Sequence, residues 1–126
     1  MCIRDRCKTA LQAELGLEVD AKAALVVLVS RITEQKMADV VAVALPRIVE
    51  SGAQCALVGD GDCLLEERFE LAARHHPGQI AVRIGYEEPL AHRVLAAGDI
   101  LLHPARFEPC GLTQLYACLL YTSRCV

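Results

Sequence analysis

The chain has 126 residues, 54% of them hydrophobic and 23% charged, which is the size and composition of one core-forming domain rather than of a disordered segment. Thirteen Lys and Arg against sixteen Asp and Glu leave a net charge of −3, so the basic footprint of a nucleic-acid binder is absent. The longest apolar run, Ala23 to Val29, falls far short of a membrane span, and the expected partners include neither nucleic acid nor membrane.

That run is also the first predicted element, a strand buried on both faces in the manner of parallel sheets. From Gln35 to Ser51 the apolar residues Met37, Val40, Val41, Ala44, Leu45 and Ile48 recur three and four apart, which predicts an amphipathic helix that Pro46 should kink or shorten. Cys55 to Val58 is a second strand, ended by the turn Gly59-Asp60-Gly61-Asp62. Asp62 is placed to cap a helix that reaches Arg74 with Leu65, Phe69 and Ala72 on one face. His75-His76-Pro77-Gly78 breaks that helix, and its two adjacent histidines read as a solvated helix end. Ile80 to Ile84 is the third strand and Glu87 to Ala97 the next helix, with His92 partly buried on it and Gly98 as its stop. Asp99 to His103 is the fourth strand. Pro104 to Gly111 is a loop, and Gly111 opens a last helix.

Strands alternating with helices predict right-handed crossovers and a doubly wound, Rossmann-like α/β fold with a parallel sheet. In the common order 3-2-1-4 the first and fourth strands are neighbours, and ligands bind outside the carboxyl ends where the order reverses. The two ends of the chain, Met1 to Cys7 and Cys118 to Val126, follow no period and hold four of the seven cysteines. The cysteines form no C-x-x-C pair, which argues against a zinc ribbon or a thioredoxin motif. Met1 to Arg6 has no apolar stretch of a secretory signal, so reduced thiols and a cytoplasmic setting are expected.

Candidate chemistry gathers at the strand ends. Arg31 follows the first strand, and Lys36 lies one turn into the predicted helix. Two cations beside a helix N-terminus suit a phosphate, or they are a solvated helix start. Gly59-Asp60-Gly61 lacks the third glycine of a dinucleotide fingerprint and reads more simply as a tight turn. The segment after the fourth strand offers the amides of Gly111, Leu112 and Thr113 as a nest for a diphosphate. Glu108, held between Phe107 and Pro109, suits a sugar hydroxyl or a developing positive charge, or it forms a salt bridge with Arg106. Cys110 reads as a packing residue rather than a nucleophile, no His being placed as its base. Tyr86, beyond the third strand, stacks on a base or covers the sheet end.

The runs Val29-Ser30-Arg31-Ile32-Thr33-Glu34-Gln35-Lys36, Val58-Gly59-Asp60-Gly61-Asp62, Ile84-Gly85-Tyr86-Glu87-Glu88 and Pro104-Ala105-Arg106-Phe107-Glu108-Pro109-Cys110-Gly111-Leu112-Thr113-Gln114 occur in the order seen in bacterial glycogen synthases and plant starch synthases. The chain resembles that family from Lys8 to Ala117, and its Arg106 to Gln114 run is highly specific to it. The resemblance implies a retaining glucosyltransferase of two Rossmann-like domains (GT-B), moving glucose from ADP-glucose to the non-reducing end of an α-1,4-glucan without metal or cofactor. It implies that Arg31 and Lys36 bind the donor diphosphate and that Glu108 is the active-site carboxylate. It places Cys110, Gly111, Leu112 and Thr113 along the glucose and phosphate site, and Tyr86 against the adenine. Where many related transferases carry a second Glu, this chain has Tyr116, as the synthases do.

The expected organisation is therefore a foreign or disordered head at 1–7, a truncated nucleotide-sugar-binding domain at 8–117 and a foreign or disordered tail at 118–126. As the carboxyl-terminal, donor-binding half of a bilobal enzyme, it is expected to be inactive alone, because its glucan acceptor would bind the missing amino-terminal domain, and poorly soluble, because an interrupted sheet exposes an unpaired edge and apolar helix faces. The alternative is a stand-alone nucleotide-binding regulatory module, which should end cleanly rather than mid-fold. A transferase or epimerase using a UDP-sugar fits the 107–114 run less well.

Overall fold

A computed structural model describes residues 3–106 and the backbone of a short strand at 124–125. In chain order the elements are α1 (Ile3–Leu15), β1 (Leu25–Val29), α2 (Ala38–Glu50), β2 (Gln54–Gly59), α3 (Cys63–His75), β3 (Ile80–Ile84), α4 (Glu88–Ala97), β4 (Ile100–Leu101) and β5 (Arg124–Cys125). The sheet runs β3-β2-β1-β4-β5, with every described pairing parallel, so the expected order and the reversal between β1 and β4 are both present.

The unbroken apolar run of β1 follows from its place in the middle. Successive side chains alternate between the two faces. Leu25, Val27 and Val29 enter the core beneath α1 and α4, while Val26 and Leu28 enter the core beneath α2 and α3. β2 divides in the same way, with Ala56 and Val58 on the first face and Cys55 and Leu57 on the second. Both faces are covered, so these positions are apolar, and the polar residue buried in β2, Gln54 at its start, is hydrogen-bonded. Burial also pushes the Cys55 thiol up to about 12, which keeps it protonated and chemically inert.

α3 begins as its sequence predicts: the Asp62 carboxylate accepts from the amides of Leu64 (2.9 Å) and Leu65 (3.3 Å). α2 starts three residues later than its apolar period suggests. Residues 33–37 instead form a turn that ends at Met37 in the left-handed region (φ 56°), and Pro46 sits inside the helix without ending it. Gly98 stops α4 in an extended conformation (φ −68°, ψ 141°) rather than a left-handed one. Its glycine serves close approach: an added Cβ would lie 2.6 Å from the Val27 side chain.

α1 is absent from the periodicity of the sequence. Residues 3–7, expected to stand apart from the domain, form its first turns, and the helix packs on α4. Its inward face is partly polar, which hides it. Lys8 is buried and reaches Asp99 at 2.7 Å and the Ala23 carbonyl at 2.5 Å, while Gln12 is fully buried and donates to Gln54 Oε1 at 2.8 Å. His92, expected to be partly buried, has a side chain 59% exposed and lies 3.8 Å from Glu88. It faces outward because Leu90, Ala91, Val94 and Leu95 supply the buried stripe of α4. Among the described residues no helix is long and apolar enough to cross a membrane.

Candidate functional site

The loops that leave the carboxyl ends of β1, β2 and β3 are stitched to one another by main-chain hydrogen bonds. Ser30 N–H donates to the Val58 carbonyl (3.2 Å), Ile32 N–H to Asp60 (2.7 Å), Asp62 N–H to Ile32 (2.8 Å) and Gly85 N–H to Gly59 (2.9 Å). The approach is close enough to require glycine. A Cβ on Gly59 would sit 1.8 Å from the Ser30 carbonyl oxygen, and one on Gly61 would sit 2.4 Å from that of Ile32. The Gly61 amide donates to Glu66 Oε1 at 2.8 Å, and Asp62 occupies the first free amides of α3. Gly59-Asp60-Gly61 thus packs as a turn, and its Gly61 amide is engaged, in line with the simpler of its two sequence readings.

Arg31 and Lys36 both lie in the segment between β1 and α2, at the reversal of strand order. Arg31 is exposed and Lys36 half-buried. Lys36 sits in the turn before α2 rather than one turn into the helix, because the chain does not become helical until it has passed Met37. Its amide donates to the Thr33 carbonyl (3.1 Å), as does that of Ala38 (3.1 Å), and the Met37 amide donates to Glu34 (3.0 Å). These bonds use the amides that a helix start would otherwise offer to an anion. Cationic side chains, rather than free amides, are what this segment presents.

The residue that the sequence reading leaves out is Asp39. Arg106 forks onto it, with Nη1 to Oδ1 at 3.1 Å and Nη2 to Oδ2 at 3.2 Å. Nη1 also donates to the Glu34 carbonyl, and the Arg106 amide donates to that of Gln35 at 2.8 Å. The hydrogen bond from Arg106 holds the Asp39 carboxyl below its usual range, and the same bond raises Arg106 above its own. The clue in the sequence is Asp39 at the start of the helix that follows the cations. Its partner is 67 residues away.

Tyr86 follows the edge strand β3 and is 62% exposed, so it does not cover the sheet end; its ring is open to a flat ligand. β3 is two strands from β1, or roughly 10 Å at the usual strand spacing. A groove of about 670 Å³ opens beside this end of the sheet, lined by Glu34, Asp39, Asp62, Glu67, Arg68 and several leucines. It contains neither Arg31 nor Lys36, and its acidic lining does not suit a phosphate. Glu108, Cys110, Gly111, Leu112 and Thr113 lie outside the described residues. Among those described, no cluster of three or more His, Cys, Asp or Glu residues is arranged to hold a metal ion.

Comparison with known proteins gives this strand-end site a context. The family described as "Glycosyl transferases group 1" matches residues 23–121, more than half of the chain. Glycogen synthase from Paramagnetospirillum magneticum is 60% identical over 110 residues, which cover 87% of this chain and 22% of that protein. Glycogen synthase from Burkholderia thailandensis is 58% identical over 113 residues, covering 88% and 21%. The chain thus spans about a fifth of the length of these relatives. Among solved structures, the catalytic domain of starch synthase IV from Arabidopsis thaliana, bound to ADP and acarbose, superposes with a TM-score of 0.86 at 29% identity, over 97% of this chain and 26% of that one. WaaG, a glycosyltransferase involved in lipopolysaccharide biosynthesis, shares the fold with a TM-score of 0.64 at 21% identity, over 95% of this chain and 31% of that one.

Proposed function

Because the chain belongs to the glycosyl transferases group 1 family, we propose that it is the donor-binding part of a glycogen or starch synthase, which transfers glucose from ADP-glucose to the non-reducing end of an α-1,4-glucan with retention. The observation that carries this reading is the 60% identity to a glycogen synthase across 110 residues. The starch synthase that superposes on nearly the whole chain was solved with ADP and acarbose, which supports a nucleotide donor and a glucan-like acceptor.

In this reading Arg31 and Lys36 neutralise the donor diphosphate. When the bond between the sugar and the diphosphate breaks, negative charge grows on the departing ADP, and fixed cations stabilise it more in the transition state than in the bound donor. Tyr86 lies against the adenine. Glu108 contacts the glucose and supports the positive charge that develops on the ring, while Cys110, Gly111, Leu112 and Thr113 line the glucose and phosphates. In sequence they follow β4, which pairs with β1 (Val26 with Ile100, Val27 with Leu101), and this order in the chain supports that grouping. The chain spans 22% of the length of its 60%-identical relative, so it is expected to bind donor without transferring sugar.

An amide NMR titration of the purified chain with ADP-glucose and, separately, UDP-glucose tests this. Shifts at Arg31, Lys36, Tyr86 and 111–113 with ADP-glucose, and weaker ones with UDP-glucose, are expected. A dispersed spectrum that ignores both sugars would overturn the donor-site reading.

A further inference from the structure

We propose that Arg106 is a positioning residue: its grip on Asp39 and on the main chain of residues 34 and 35 sets the 33–39 turn, and with it Lys36, against the end of β4. The proposal rests on the donor-site reading of Lys36 given above.

Four contacts meet at this one side chain and its amide: the two terminal guanidinium nitrogens on the two Asp39 oxygens, Nη1 on the Glu34 carbonyl, and the main-chain amide on the Gln35 carbonyl. A planar fork fixes direction as well as distance, which a point charge does not. The turn it grips needs an external hold. Met37 is a non-glycine residue in the left-handed region, a conformation that persists only when the surroundings dictate it, and α2 has no side-chain cap of its own. Asp39 connects the two, since it accepts from Arg106 and itself belongs to the first turn of α2. Meanwhile the sheet holds the two segments together lower down, where Leu102 N–H donates to the Val27 carbonyl at 2.9 Å, and Arg106 joins them again four residues further along.

Exposure shows what the pair is for. The Arg106 and Asp39 side chains are 45% and 34% exposed, and pairs this wet contribute little to global stability. Four contacts converging on a strained turn at the phosphate end of the domain are instead suited to holding geometry.

The test is amide hydrogen exchange on the 126-residue chain, paired with titration by ADP, for wild type, Arg106→Ala, Arg106→Lys and Asp39→Asn. Arg106→Ala and Asp39→Asn are expected to speed exchange at Lys36, Met37 and Ala38 by roughly tenfold, with Val27 and Leu57 in the core strands unchanged. ADP binding should weaken by roughly tenfold in the same two variants, and Arg106→Lys, which keeps the charge but not the fork, should recover less than half of either loss. Unchanged exchange in the turn would overturn the proposal. So would a loss of protection spread through β1 and β2, which would make Arg106 a general stabiliser, or wild-type ADP affinity in a chain whose turn has loosened. A wild-type chain that never binds ADP, yet loosens its turn in Arg106→Ala, would overturn the donor-site reading and leave the clamp standing.

Discussion

The two ends of the sheet each carry a salt bridge that joins segments distant in sequence, and the two bridges do different work. At the amino end, Lys8 and Asp99 meet at 2.7 Å with side chains only 6% and 18% exposed. Asp99 also accepts from the Leu25 amide (2.9 Å), Gln12 also donates to the Asp20 carbonyl (3.0 Å), and Gln54 donates to that of Glu18 (2.7 Å). At the carboxyl end, the Arg106–Asp39 pair is close to half exposed, on top of strained and tightly apposed turns. A buried pair must remain intact because a lone charge left behind has no water to solvate it; an exposed pair loses little when broken, so its value lies in orientation. The amino end is built for stability, and the carboxyl end for orientation.

The sharpest way to break that contrast is Lys8→Ala. It leaves Asp99 without its nearest cation and strips the Ala21 and Ala23 carbonyls of a donor, so a loss of about 3 kcal/mol is expected by urea denaturation. A loss no greater than that of Arg106→Ala, expected within about 1 kcal/mol, would erase the distinction between the two ends.

Next in size is Gly59→Ala. The added methyl would press on the Ser30 carbonyl, and the two loops must part or the strand end must shift, at a cost of about 1–3 kcal/mol. Because Ser30 directly precedes Arg31, amide shifts in NMR spectra should concentrate at 30–33 and 59–61, and an undisturbed Arg31 would show that the turn does not carry the site.

The smallest effect concerns pH. A carboxyl lowered below 3.8 by its folded-state partner contributes stability that is present above its unfolded pKa and lost as pH falls through the folded value. The exchange rates of Lys36 and Met37, corrected for intrinsic chemistry, should therefore stay flat from about pH 8 to pH 5 and rise only below about pH 4. Opening already at pH 6 would show that some group other than Asp39 controls the turn.

Much of the fold is legible because its signals are local. The Leu25–Val29 run can be satisfied only by a strand covered on both sides, and Asp62 caps the residues that directly follow it. α1 escapes notice for the opposite reason. Lys8 and Gln12 point inward while Ile3 is 79% exposed, so an apolar period has nothing to register until the acceptors at 23, 54 and 99 are in place. The start of α2 is hidden for a similar reason, since the apolar stripe reaches back to Met37 while the backbone there turns left-handed. At the candidate site, Arg31 and Tyr86 follow β1 and β3 as the strand pattern predicts, while Lys36 lies in the turn before α2 rather than one turn into the helix. The Arg106–Asp39 partnership is not readable from the sequence, because 67 residues separate the two and no local pattern links them.

The sequence by itself determined the alternation of strands and helices, the parallel order of the sheet and the segments that carry the candidate donor-binding residues. These follow from hydrophobic period, capping and turn chemistry, all of which act within a few residues. Only the tertiary structure decided that Lys8 would be buried against Asp99, 91 positions away, and that Arg106 would hold Asp39, 67 positions away. Charge pairing carries no period along a chain, so its partners are chosen when the packed sheet brings them within hydrogen-bonding distance.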